Sequence, residues 1–126
     1  MRGALVGIGI DSVDIERFAA VLARRSAVAS RVFTEGERAY AGRLANPTPA
    51  LAGRFAAKEA VMKALGVGLG SIDWSDVEVV RPGNGEPFLA ISGRAAVLAS
   101  GKGIGSWLLS ITHTDTVASA VVAAVA

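Results

Sequence analysis

The chain has 126 residues, 52% of them hydrophobic and 19% charged, which fits one ordered domain over 1–126 and argues against a disordered segment. Thirteen Lys and Arg against eleven Asp and Glu leave a net charge of +2, which admits an anionic ligand or an acidic partner without demanding nucleic acid. With no cysteine and one histidine, disulfide frameworks, cysteine zinc sites, thiol nucleophiles and paired-histidine sites are excluded.

Ala4 to Ile10 alternates bulky residues with glycine and predicts a buried strand. Asp11 or Ser12 offers a side-chain oxygen to cap the next helix. Its apolar stripe is Ile15, Phe18, Ala19 and Leu22, with Arg17, Arg24 and Arg25 off the stripe. Thr34 followed by Glu37 is a capping box that opens a short helix through about Leu44. NPTP (46–49) breaks that helix. Thr48 as cap and Pro49 at the first helical position then start the longest one, which Gly66 stops.

VEVVR (77–81) and PFLAIS (87–92) read as strands of a hairpin around the turn 82–86. GRAAVLASGKG predicts a helix closed by glycine. SWLLSITH (106–113) and TVASAVVAAV (116–125) predict two final strands, so the class is α+β with antiparallel pairing. The first apolar stretch lacks a cleavage site, and the apolar C-terminal run is short of the ~20 residues a membrane span needs. A cytoplasmic location is expected. So apolar a chain of this size is also expected to cover part of its surface in an oligomer.

Two carboxylates stand out. Asp11 ends an apolar strand, where a charge must be solvated, paired or bound to metal, although helix capping alone would explain it. Glu59 shares a helix face with Phe55 and Lys63, at i−4 and i+4; taken alone this is a surface Glu–Lys pair. Lys58 lies about 100° round the helix and reaches a different partner. Two hard oxygen ligands with two lysines suit a Mg²⁺–diphosphate complex. His113 ends a strand among hydroxyl residues, in a niche or at an anion contact. The loop Gly66–Gly70 exposes backbone N–H groups, but it follows a helix C-terminus, and Gly66 is explained as a C-cap.

Three blocks, GIGIDSVDIERF (7–18), GRFAAKEAVMKALGVGLG (53–70) and SITHTDTVASAVV (110–122), carry a resemblance. VFTEGE (32–37) and NGEPFLAISG (84–93) support it. Over almost its whole length the chain resembles the holo-acyl-carrier-protein synthases, the small trimeric branch of the 4′-phosphopantetheinyl transferases.

The resemblance implies a single-domain α+β fold in which an antiparallel sheet packs on a long central helix. It implies that a serine of apo acyl carrier protein attacks the β-phosphate of coenzyme A in fatty-acid biosynthesis, releasing adenosine 3′,5′-bisphosphate. Asp11 and Glu59 would hold Mg²⁺, and Lys63 would contact the phosphates and stabilise or protonate the leaving group. Thr112 and His113 would lie by the nucleotide, with Arg54, Gly66, Asn84 and Pro87. Arg17, helped by Arg24, would hold acidic residues of the carrier. The family places its sites between subunits of a homotrimer. The serine proton goes to Glu59 through a water or to a metal-bound water.

Two other functions stay open at this point. One is the same chemistry on a polyketide or peptide synthase carrier. The other is a non-catalytic module that binds an acidic protein, for which Asp11, Glu59 and Lys63 have no reason to converge. Nucleic acid is disfavoured by the 6% aromatic content and the absence of a basic run.

Overall fold

Strand β1 (Leu5–Asp14) runs without a break into helix α1 (Ile15–Arg24) in the computed structural model, which describes residues 3–126. There follow α2 (Ala27–Val32), α3 (Glu35–Gly42), α4 (Thr48–Leu65), a 3-10 turn (Trp74–Asp76), β2 (Val77–Val80), β3 (Phe88–Ile91), α5 (Gly93–Gly101), β4 (Ser106–His113) and β5 (Val117–Val125). The strands form two antiparallel sheets, a three-stranded one in the order β1-β5-β4 and the β2-β3 hairpin. The α+β class and every expected strand are therefore present.

Boundaries differ where capping was misassigned. Neither Asp11 nor Ser12 caps α1. Both lie inside β1, paired with Ala120 and Ser119 of β5, and Asp14 does the capping by accepting from the Arg17 N–H at 2.9 Å. The edge strand gains pairing by continuing to Asp14, and the cap moves three residues on. The capping box at Thr34 is present in both directions. Thr48 is the first residue of α4 rather than its cap, and Gly66 closes α4 in the left-handed conformation at φ 72°. Helix α2 has no counterpart among the sequence expectations; six residues of AVASRV carry too short a pattern to read.

Helix α4 is rich in alanine and buried on most of its surface, including Ala52, Ala56, Ala57, Ala60 and Val61 at no exposure. It lies across the inner face of the larger sheet. A Cβ at Gly9 or Gly7 would run into the carbonyl oxygens of Ala60 and Ala64, so glycine lets β1 and α4 approach backbone to backbone. At the other end, a Cβ on Gly53 would meet Ile111 of β4 at 2.9 Å. The helix therefore crosses the sheet diagonally, its N-terminal half over β4 and its C-terminal half over β1. This crossing places the site residues.

The opposite face of the same sheet is bare. Leu5, Ile8 and Ile10 of β1 and Leu108 of β4 are each 61–64% exposed, with Val117 and Val121 of β5 between them. An apolar face of this extent is what an association surface requires.

Candidate active site

At the β1 end of α4, Asp11, Glu59 and Lys63 converge. Lys63 Nζ donates to the Ile10 carbonyl at 2.8 Å and lies 3.3 Å from Asp11 Oδ1. Among the described residues no Glu59–Lys63 ion pair forms, because the lysine turns to the strand instead. Glu59 lines a groove of about 480 Å³ together with Asp11, Asp14, Arg17, Phe18 and Phe55. Partial burial raises the Glu59 carboxyl above its ordinary value, with the negative charge of Asp11 adding to the rise and Lys63 opposing it. Convergence of these three side chains removes the ground for a module in which they lie apart.

The groove floor is built from aromatic rings. Phe18 packs on Phe55 at 5.3 Å between centroids and edge-on to Phe33 at 6.1 Å, and Phe55 stacks on Trp74 at 5.3 Å. Arg17 is exposed at the groove rim. Arg24 is exposed about two turns further along α1, beside Val21, Arg25 and Val28.

Lys58 is not part of this site. Its side chain is 1% exposed and pairs with the fully buried Glu37, Nζ to Oε1 at 2.8 Å. It also donates to the carbonyls of Trp74, at 3.0 Å, and Val77. Expecting two lysines around one diphosphate is therefore corrected to one. The 100° step round the helix that separates Lys58 from Glu59 directs it into the core. Burial pulls the Lys58 ammonium below its usual value, and Glu37 opposes that shift.

A second cavity, also about 480 Å³, opens at the β4 end of α4. Tyr40, Asn46, Arg54, Arg81, Pro87 and His113 are among its lining residues. Arg54, Pro87 and His113 were expected near a nucleotide and do come together here. Gly66 and Asn84 do not line it; both are exposed in loops, as the α4 C-cap and in the hairpin turn. Thr112 alternates to the outer sheet face, opposite Ser119, while His113 faces the cavity. Tyr40 and Arg81 escaped the sequence reading, since a lone tyrosine in a short helix and a lone arginine after a strand carry no spacing signal.

Two hollows thus lie at opposite ends of one diagonal Ala-rich helix, one lined by carboxylates beside Lys63 and the other by two arginines and a histidine. Residues 7–122 match the 4′-phosphopantetheinyl transferase superfamily, and the chain belongs to it. A holo-[acyl-carrier-protein] synthase of Frankia casuarinae is 51% identical over 96% of this chain and 98% of its own length. The crystal structure of the holo-[acyl-carrier-protein] synthase from Neisseria meningitidis superposes with a TM-score of 0.87 at 28% identity, covering 96% of this chain and 98% of that one. The Bacillus anthracis holo-(acyl-carrier-protein) synthase, solved in complex with CoA (3′,5′-ADP), superposes at 0.80 with 35% identity over 97% of both chains. Within the superfamily the chain is thus a holo-[acyl-carrier-protein] synthase, which transfers phosphopantetheine to apo acyl carrier protein.

Proposed function

We propose that the chain transfers 4′-phosphopantetheine from coenzyme A to a serine hydroxyl of apo acyl carrier protein in a Mg²⁺-dependent reaction at Asp11, Glu59 and Lys63. The observation that carries this is the meeting of two carboxylates and one lysine at the mouth of one groove. Among the described residues no three or more acidic or histidine side chains stand close enough together to hold a metal ion between them. Two carboxylates fit Mg²⁺, which characteristically takes one or two protein oxygens beside phosphate oxygens and waters. Bound there, the ion would neutralise charge on the diphosphate.

The chain's own groups supply the rest. The serine oxygen forms a bond to the β-phosphorus while the P–O bond to the 5′-phosphate of the nucleotide breaks, and adenosine 3′,5′-bisphosphate leaves. Glu59 takes the serine proton through a water. Lys63, exposed and tethered by Ile10 and Asp11, reaches the departing phosphate with its ammonium. Phosphoryl transfer depends on this kind of positioning and charge neutralisation. Arg17 and Arg24 hold the acidic surface of the carrier.

The same reading gives the bare sheet face an occupant: two further copies of the chain in a homotrimer. Because α4 separates the two hollows onto opposite sheet edges, one coenzyme would be held by the groove of one copy and the Arg54–His113 cavity of its neighbour. No helix among the described residues is long and apolar enough to cross a membrane. The proposed setting is a cytoplasmic role in fatty-acid biosynthesis. The test is transfer to purified apo carriers of fatty-acid, polyketide and peptide synthases, each weighed after incubation with coenzyme A and Mg²⁺. Modification of the fatty-acid carrier is expected. Exclusive modification of another carrier would reassign the pathway, and modification of none would overturn the activity.

A further inference from the structure

Arg54 is 6% exposed, and its Nε has no hydrogen-bond partner. Its Nη1 donates to the Ala50 carbonyl at 3.3 Å, and among the described residues no carboxylate lies within ion-pair distance of it. A buried guanidinium without an anion is costly. What the structure provides in place of an anion is Tyr40, whose ring centroid lies 4.3 Å from Arg54 Cζ. Both side chains line the cavity that also holds Arg81 and His113.

Tyr40 is itself firmly placed. It stands one helical turn beyond Glu37, and Lys58 stands one turn beyond Arg54, so the Glu37–Lys58 ion pair and the Tyr40–Arg54 contact are successive rungs between α3 and α4. The lower rung is closed on all sides by protein. The upper rung opens into the cavity, where the guanidinium keeps unused donors.

Coenzyme A carries two anionic centres, a diphosphate and a 3′-phosphate. On the reading under Proposed function, the groove at Asp11, Glu59 and Lys63 takes the diphosphate, which leaves the 3′-phosphate for the second cavity. We propose that Tyr40 is a positioning residue that holds the Arg54 guanidinium at the cavity wall, where it meets the 3′-phosphate of coenzyme A. The planar, delocalised guanidinium stacks on a ring face as an ammonium does not, so the pair is specific to arginine and an aromatic.

The experiment compares coenzyme A with dephospho-coenzyme A, which lacks only the 3′-phosphate, as donors to apo carrier protein. Wild type prefers coenzyme A in kcat/KM. Tyr40→Leu lowers that preference about tenfold, the scale of a partly desolvated cation–π contact, through KM for coenzyme A. Tyr40→Phe, which keeps the ring, restores the preference. Arg54→Lys gives the same loss as Tyr40→Leu, and the double variant adds little to either, as residues acting as one unit must. Equal loss on both donors from Tyr40→Leu would show a merely structural tyrosine and overturn the proposal. If Tyr40→Leu fails to fold, Arg54→Lys and Tyr40→Phe decide the matter, since a changed preference in Tyr40→Phe or an unchanged one in Arg54→Lys also overturns it. Absence of any preference in wild type would instead refute the placement of the coenzyme.

Discussion

Lys58 Nζ lies 2.8 Å from Glu37 Oε1 with both side chains shut off from solvent, and every polar atom of the pair is matched. Glu37 accepts from the backbone N–H groups of Thr34 at 3.0 Å and Val79 at 2.9 Å, while Lys58 donates to Trp74 and Val77. Four chain segments thus meet at one charge pair beside the catalytic helix face. Breaking one side of such a pair costs far more than the pair is worth, because the other charge stays buried alone. Lys58→Met should lower the unfolding free energy by about 3–5 kcal/mol in urea titrations. Glu37→Gln combined with Lys58→Met, which removes both charges, should recover roughly half or more of that loss.

Glu59 should behave in the opposite sense. Its folded carboxyl binds protons more tightly than the ordinary value of 4.5, so the folded state holds more protons than the unfolded chain just above that pH. Stability contributed at Glu59 is therefore lost as pH rises from about 4.5 through its folded value, and ionised Glu59 is a burden at neutral pH. Without divalent ions, Glu59→Gln should melt a few degrees higher than wild type at pH 7.5, with the gain gone near pH 4. Thermal melts at the two pH values measure it.

The bare sheet face should prove essential to assembly. Ile10 and Leu108 are 61% and 64% exposed on the outer strands of one face. Ile10→Lys with Leu108→Asp places charges where apolar surfaces should meet. Light scattering should then report a monomer for the variant and a trimer for the parent chain, and transfer activity should fall with the loss of assembly.

Separation of the two hollows across α4 has a sharper consequence. Assayed with coenzyme A well below KM, Glu59→Gln alone and Arg54→Ala alone should each be strongly impaired. When the two variants are unfolded together and refolded at equal amounts, about a quarter of interfaces receive both intact halves, since each half is intact with a chance of one in two. Activity returning to that level supports a shared site. No return would place both halves of the site in one copy.

Much of this architecture was legible from residue patterns. Thr34 with Glu37, Gly66 and the strands 106–113 and 116–125 announce themselves through local chemistry, and all lie where expected within two residues. Asp14 was missed as the cap because Asp11 and Ser12 offer the same chemistry three and two residues earlier, and only the pairing of β1 with β5 decides among them. Glu37 and Lys58 illustrate the deeper limit. Each looks like a surface residue of a helix, and nothing local shows that they meet across 21 positions in the core. Tyr40 and Arg54 share that limit, because their contact depends on how α3 docks on α4.

The most direct test weighs the carrier. Apo acyl carrier protein incubated with the chain, coenzyme A and Mg²⁺ should gain one phosphopantetheine group on a single serine, as read by intact mass. Asp11→Asn and Glu59→Gln, folded as judged by circular dichroism, should each slow the gain by about a hundredfold or more, the scale for removing a general base or a charge-stabilising group. A carrier left unmodified by the parent chain, or modified at the parent rate by Glu59→Gln, would contradict the assignment of Asp11, Glu59 and Lys63 as the transfer site.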